Sequence, residues 1–254
     1  KNIQRINSSK KILSELAQGG TAIGTGINTH KDFGKKIAEE ISKYTKIKFI
    51  KTDNHFEAQS CQDSIVGFSS NLKTLSVALS KIANDIRWLS SGPRAGIGEI
   101  IIPSVQPGSS IMPGKVNPVI CESMLQVCAQ VIANDTAITL GGLGSIFELN
   151  LMLPLIANNI LFSLKILSNS IRNFNKKLLV GLKADTMKCE SFIEGSLAMC
   201  TALVPEIGYD RAAEIAYEAF NSNKTVRKVA KEKNLMSDEK LNRLLNIKEM
   251  IKSK

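Results

Sequence analysis

Residues 61–90 read CQDSIVGFSSNLKTLSVALSKIANDIRWLS. Within them Cys61, Ile65, Phe68, Leu72, Leu75, Leu79, Ile82, Ile86 and Leu89 recur at alternating steps of four and three. That spacing gathers apolar side chains onto one face of a helix and makes a heptad seam. It predicts one helix from about Glu57 to Ser90, roughly 50 Å long at about 1.5 Å per residue. A small globule does not cover so long a seam; a helix bundle does. Ser91-Gly92-Pro93 ends the helix.

Two further long helices follow this one in the chain. The first runs from Asn117 to about Leu140, apolar at Cys121, Met124, Leu125, Cys128, Val131, Ile132 and Ile138. Asn117-Pro118 reads as an N-cap followed by proline at the first helical position. Asn134 and Asp135 interrupt the apolar pattern, either as buried registry residues or on the solvent edge. Gly141-Gly142 and Gly144 end the helix. The second runs from about Ile146 to Leu179, and Pro154 inside it predicts a kink.

Elsewhere the pattern is shorter. Residues 1–18 read as a helix end stopped by Gly19-Gly20. Asp32 to Tyr44 is a short amphipathic helix, followed by an extended Ile47–Ile50. Past Lys183 come helices near 186–203, 210–221 (capped by Asp210), 225–233 and 238–245, the last with Ser237 as a possible cap. The expected fold is all-α: a long-helix bundle over 1–184 with its first helix truncated, and a small helical domain over 185–254.

At 254 residues, 43% hydrophobic and 22% charged, the composition is that of an ordinary globular protein. No apolar run reaches about 18 residues, so no membrane span is expected. The chain opens on Lys1 in mid-pattern, which suggests a fragment or a processed chain. The five cysteines (Cys61, Cys121, Cys128, Cys189, Cys200) form no CxxC pair and read as reduced, buried residues of a cytoplasmic protein. With only two histidines, His30 and His55, a metal site is not expected. The net charge of +10 raises nucleic-acid binding as one reading. Lysines are scattered, aromatics are few and no recognition motif is present, so a lysine-rich surface that mildly attracts small dianions is the better one.

The densest chemistry lies just before the second long helix, at Gly108-Ser109-Ser110-Ile111-Met112-Pro113-Gly114-Lys115-Val116-Asn117-Pro118. Two hydroxyls, an ammonium and an amide sit between residues that bend or stiffen the backbone. The helix that follows aims its amino-terminal N–H groups at the loop, a natural seat for a carboxylate. Gly19 to Asn28 is also glycine-rich. It has no preceding strand, no Gly-x-Gly-x-x-Gly spacing and no closing Lys-Ser or Lys-Thr, so it is not a phosphate loop.

The 108–118 stretch resembles the signature loop of the class II fumarase/aspartase superfamily, Gly-Ser-Ser-x-Met-Pro-x-Lys-x-Asn-Pro. Gly19–Asn28, Ser91–Arg94, Phe147-Glu148-Leu149-Asn150 and Ile207-Gly208-Tyr209-Asp210 resemble family segments too, so the likeness spans nearly the whole chain and suggests the C-terminal part of a fumarase. The resemblance implies reversible anti hydration of fumarate to (S)-malate in the tricarboxylic acid cycle, without metal or cofactor. Ser109 would be the base; Ser110, Lys115, Val116 and Asn117 would bind the dicarboxylate; Glu122 would orient a second-shell His or Lys. Thr21 and Asn28 would face the site. It also implies a homotetramer whose sites draw on several subunits.

The family's Thr-His pair followed by Leu-Gln is not in this sequence. Thr29-His30 is followed by Lys31-Asp32, so no catalytic role passes to His30, and His55 stays unassigned. The acid half of the site would come from a missing N-terminal segment, and the chain alone is expected to be inactive. Aspartate ammonia-lyase is the nearest alternative; Gly114 and the Tyr209-Asp210 pair favour fumarase. A non-catalytic helical scaffold is the alternative of another class, and the intact Ser109, Lys115 and Asn117 oppose it.

Overall fold

The computed structural model describes residues 1–252. They form two compact units, one of residues 1–89 with 102–182 and one of residues 90–101 with 183–252.

The first unit opens with α1 (Asn2–Leu13) and β1 (Glu15–Leu16). The helix therefore stops before Gly19-Gly20: β1 pairs in parallel with β2 (Ile50–Lys51), and α2 (Phe33–Thr45) lies between them. The long seam helix is interrupted. α3 (His55–Ser60) ends at Cys61, whose backbone is extended, and α4 (Asp63–Leu89) follows. α5 (Val119–Leu143) and α6 (Leu153–Lys177) complete the bundle, with α5 packed between α4 and α6.

The buried face of α4 keeps Leu72 and Ile86 of the seam read in the sequence and adds small residues one step from its other positions. It is made of Ser69, Leu72, Ser76, Ala83 and Ile86, whereas Cys61 and Ile82 are exposed. Ser69, Ser76 and Ala83 recur every seven residues and let α5 approach closely, so the bulkier Phe68 and Leu75 flank the contact. The Ser76 hydroxyl is satisfied by the Leu72 carbonyl at 2.9 Å.

Two apolar clusters stabilise the bundle. Ala83, Ile86, Cys121, Met124, Cys128, Phe174 and Leu178 form one, at the amino-terminal end of α5. Leu72, Val131, Ile138, Ile156, Ile160 and Leu167 form the other. Asn134 and Asp135 are buried as well. Asp135 accepts from Ser69 Oγ at 2.7 Å and pairs with Lys73 Nζ at 2.6 Å, while Asn134 donates to Ser163 Oγ at 2.9 Å and accepts from Gln130 at 2.8 Å. Both carboxylate oxygens are thus paired, the condition under which a buried charge is tolerated.

Pro154 does not kink α6. It lies in the first turn, where no amide is needed, and the helix begins around it. Gly141 and Gly142 are helical, and Gly144 closes α5. Gly141 is buried, and a Cβ there would lie 2.7 Å from Ile156, so glycine permits the close α5–α6 contact.

The second unit starts with β3 (Ile100–Ile101), antiparallel to β4 (Lys183–Ala184). α7 (Thr186–Gly195), a 3-10 turn over Leu197–Leu203, α8 (Val204–Ile207), α9 (Tyr209–Ser222), α10 (Val226–Glu232), α11 (Asp238–Leu244) and α12 (Ile247–Met250) follow. Leu203, Ile215, Val226, Val229 and Leu241 fill its core. Arg227 clamps Glu194 with two bonds of 2.9 and 3.1 Å and also donates to Asn242 and the Leu245 carbonyl. Asp210 is not the cap of α9: Gly208, at φ +79, precedes the helix and Asp210 lies in its first turn.

Candidate active site

The 108–118 loop folds back on itself at Gly108. A Cβ there would sit 2.1 Å from the Lys115 carbonyl oxygen, so only glycine allows this closure. Asn117 fastens it: its Nδ2 donates to the Gly108 carbonyl at 2.5 Å. Asn117 is therefore not the N-cap of α5, which starts at Val119 without a side-chain cap. One amide hydrogen is committed to the loop, and the other remains for a ligand.

Ser109 is half-buried, and its Oγ accepts two backbone N–H bonds, from Ile111 at 3.2 Å and Met112 at 3.0 Å. Two donors on one hydroxyl oxygen lower the cost of negative charge on it and leave its proton free to be given away. Ser110, Lys115 and Val116 are exposed beside it, and Lys115 has no ion-pair partner among the described residues. Gly114, at φ +78, makes the bend between Met112 and Lys115. Glu122 lies half-buried in the first turn of α5. Next to it, burial pushes the Cys121 thiol up to about 11, with a smaller contribution from the Glu122 carboxylate. The loop thus gathers Ser109, Ser110, Lys115, Val116 and Asn117 within one bend, with no side-chain bond among them.

The remaining candidates lie in another part of this unit. Thr21 and Asn28 are exposed in the glycine-rich turn, both at positive φ. His30 is exposed and accepts the Asp32 amide at 3.2 Å, a local turn contact. His55 donates from Nδ1 to the Ala17 carbonyl at 3.0 Å, which ties α3 to the turn. Asn150, quoted in the sequence only as part of a family segment, makes four hydrogen bonds, two within its own connection and two to Gln59 and Gln62. No local pattern marked those partners. Among the described residues no group of His, Cys, Asp and Glu is arranged to hold a metal ion, and no helix is long and apolar enough to cross a membrane.

A family model described as Lyase matches residues 1–133, and one described as Fumarase C C-terminus matches residues 199–252. The chain belongs to the fumarase/aspartase lyases. It is 48% identical over all 254 residues to the class II fumarate hydratase of Wigglesworthia glossinidia brevipalpis, covering 55% of that protein. It is 44% identical over 251 residues to the mitochondrial fumarate hydratase of Dictyostelium discoideum, covering 52% of it. The chain therefore spans about half the length of the curated relatives it matches.

Solved structures agree. A Brucella melitensis protein described as fumarate lyase:delta crystallin, bound to cobalt, matches with a TM-score of 0.92 and 44% identity over 96% of this chain and 53% of that one. The class II fumarase of Schistosoma mansoni matches at 0.90 and 34%, over 96% and 54%. A 3-carboxy-cis,cis-muconate lactonizing enzyme from Pseudomonas putida, at 20% identity and 0.76, shares the fold.

Proposed function

We propose that this lyase chain serves a class II fumarate hydratase, interconverting fumarate and (S)-malate in the tricarboxylic acid cycle. The observation that carries the reading is the 48% identity across the entire chain to a protein of that name. The loop geometry supports it. In the dehydration direction a base must take a proton from the carbon beside a carboxylate, and charge then accumulates on that carboxylate. Ser109, held by two N–H donors, is the proposed base. Lys115 supplies the cation for the charged carboxylate, Ser110, Val116 and Asn117 contact substrate, and Glu122 orients a cationic or imidazole partner.

Anti elimination also needs an acid on the opposite face, and no Thr-His-Leu-Gln segment occurs in these 254 residues. We assign that step to a segment outside the sequence, so the chain alone is inactive. A homotetramer would supply several faces of one site. The large apolar residues left exposed on the first unit support assembly, among them Phe147 at 82%. So does an apolar groove of about 330 Å³ lined by Ile65, Leu153, Ile156 and Leu161. All five cysteines are free, in keeping with a cytoplasmic setting.

The test mixes the chain with the N-terminal half of a class II fumarate hydratase and follows fumarate absorbance with and without ammonium. Malate formation independent of ammonium is expected; ammonium-dependent loss of fumarate to aspartate overturns the reading. Ser109→Ala should lower kcat/KM by about a thousandfold or more, the scale of a lost base in a polarised site. Near-parent kcat/KM would remove Ser109 from the role.

A further inference from the structure

The heptad pattern through Cys61 favours an unbroken helix, yet α3 and α4 part at Cys61 and Gln62. In a continuous helix the Gln59 carbonyl accepts from the amide four residues on. Here it accepts from Asn150 Nδ2 at 2.5 Å. The same side chain accepts from Gln62 Nε2 at 2.9 Å through Oδ1, so it holds both sides of the break. Its remaining bonds, to the Glu148 carbonyl at 3.1 Å and from Ser145 Oγ at 3.4 Å, fix it within the α5–α6 connection. That connection is itself held in an unusual shape, with Phe147 at φ +50 and a bridge between Ile146 and Leu149.

What the break releases is α3, and α3 carries the glycine-rich turn. Gln59 Nε2 donates to the Thr21 carbonyl at 2.5 Å, and His55 donates to the Ala17 carbonyl at 3.0 Å. Gly20 and Gly24 pack so closely on His55, Gln59 and Phe56 that a Cβ at either would meet them at or under about 3 Å. Rotating α3 into line with α4 would drag these contacts away from the turn.

We propose that Asn150 is a conformational lock: its side chain replaces the helical bond at Gln59, holds the α3–α4 break open, and through α3 fixes the backbone of residues 17–28. The glycine-rich turn has a defined shape only while the lock is closed. This role does not depend on which reaction the lyase performs.

Hydrogen–deuterium exchange on the intact chain tests it, with Asn150→Ala, Asn150→Asp and Gln62→Ala compared with the parent. Asn150→Ala and Asn150→Asp both lose the donor to Gln59 and should speed exchange about tenfold in residues 54–62 and in residues 17–28 together, as expected for one or two lost hydrogen bonds in a local opening. Exchange in the middle of α5 and in α9 should stay at the parent rate. Gln62→Ala keeps that donor and should change residues 17–28 by less than about threefold. Faster exchange in 54–62 with residues 17–28 unchanged would overturn the coupling. A uniform rise through α4, α5 and α6 would reduce Asn150 to a packing residue and overturn the lock.

Discussion

In the unit containing residues 183–252, four of the six described α-helices open on a capping side chain. Asp185, Thr225, Ser237 and Asn246 each accept an amide in the first turn of α7, α10, α11 and α12. In the long-helix unit Asn54 caps α3, but α2, α5 and α6 begin at Asp32, Pro118 and Met152 with no such bond. Two other boundaries carry long-range contacts: Asn150 bridges the α3–α4 break, and Asn117 closes the loop before α5. The same contrast holds for burial. The long-helix unit buries Ser69, Ser76, Asn134, Asp135 and Ser163 between its three long helices, whereas the buried residues described in the other unit are all apolar. Local chemistry stabilises the one, long-range registry the other.

Breaking the registry should produce the largest effect on stability. Asp135→Ala leaves the buried Ser69 hydroxyl without its acceptor and the half-exposed Lys73 without its ion pair, which should cost about 1–3 kcal/mol. The expected readout is selective. In urea, the buried Cys121 and Cys128 should become reactive toward a thiol reagent at markedly lower denaturant, while Cys200 keeps its parent midpoint. A shared shift of all three would show that the units unfold together and dissolve the comparison.

The second prediction concerns the outer face of the long helices. Leu161 is 65% exposed and lines the apolar groove. Leu161→Glu should change the helical signal little, since surface substitutions stay within about 0.5 kcal/mol. Light scattering at micromolar concentration should show the assembly falling to smaller species. An unchanged mass would mean that this groove is not where copies meet.

How much of this was legible follows the same division. The long helices and the signature loop were readable because period and motif are properties of a short window: α2, α5 and α11 lie close to where their patterns put them. Ser237 was readable as a cap for the same reason. The break at Cys61 was not, because the heptad seam runs through the weak helix formers Ser60, Asp63 and Ser64, and Asn150, which bridges the break, lies about ninety positions away. On α4 the seam found Leu72 and Ile86 but missed Ser69, Ser76 and Ala83, because close helix contact selects small residues and a hydrophobic seam counts only large ones. Pro154 was read as an interior kink although proline belongs equally to a first turn. In the loop, residue types were legible but their bonds were not: the donors to Ser109 are backbone amides, and Asn117 turned to Gly108 rather than to its helix.

The smallest effect should come from a single cap. Ser237 accepts the Lys240 amide at 3.3 Å and opens α11, whose Leu241 lies at the heart of the second unit. Ser237→Ala should lower the stability of that unit by about 1 kcal/mol, the usual cost of a lost cap. The midpoint of Cys200 labelling should fall slightly and that of Cys128 should not move. Asp32→Ala is the matching change in the other unit, where the Asp32 side chain precedes α2 without bonding its amides. It should be neutral within about 0.5 kcal/mol. Should Asp32→Ala cost as much as Ser237→Ala, α2 would depend on its own first turn after all. The start of that helix would then be local, and the distinction between the two units would narrow to the bundle core.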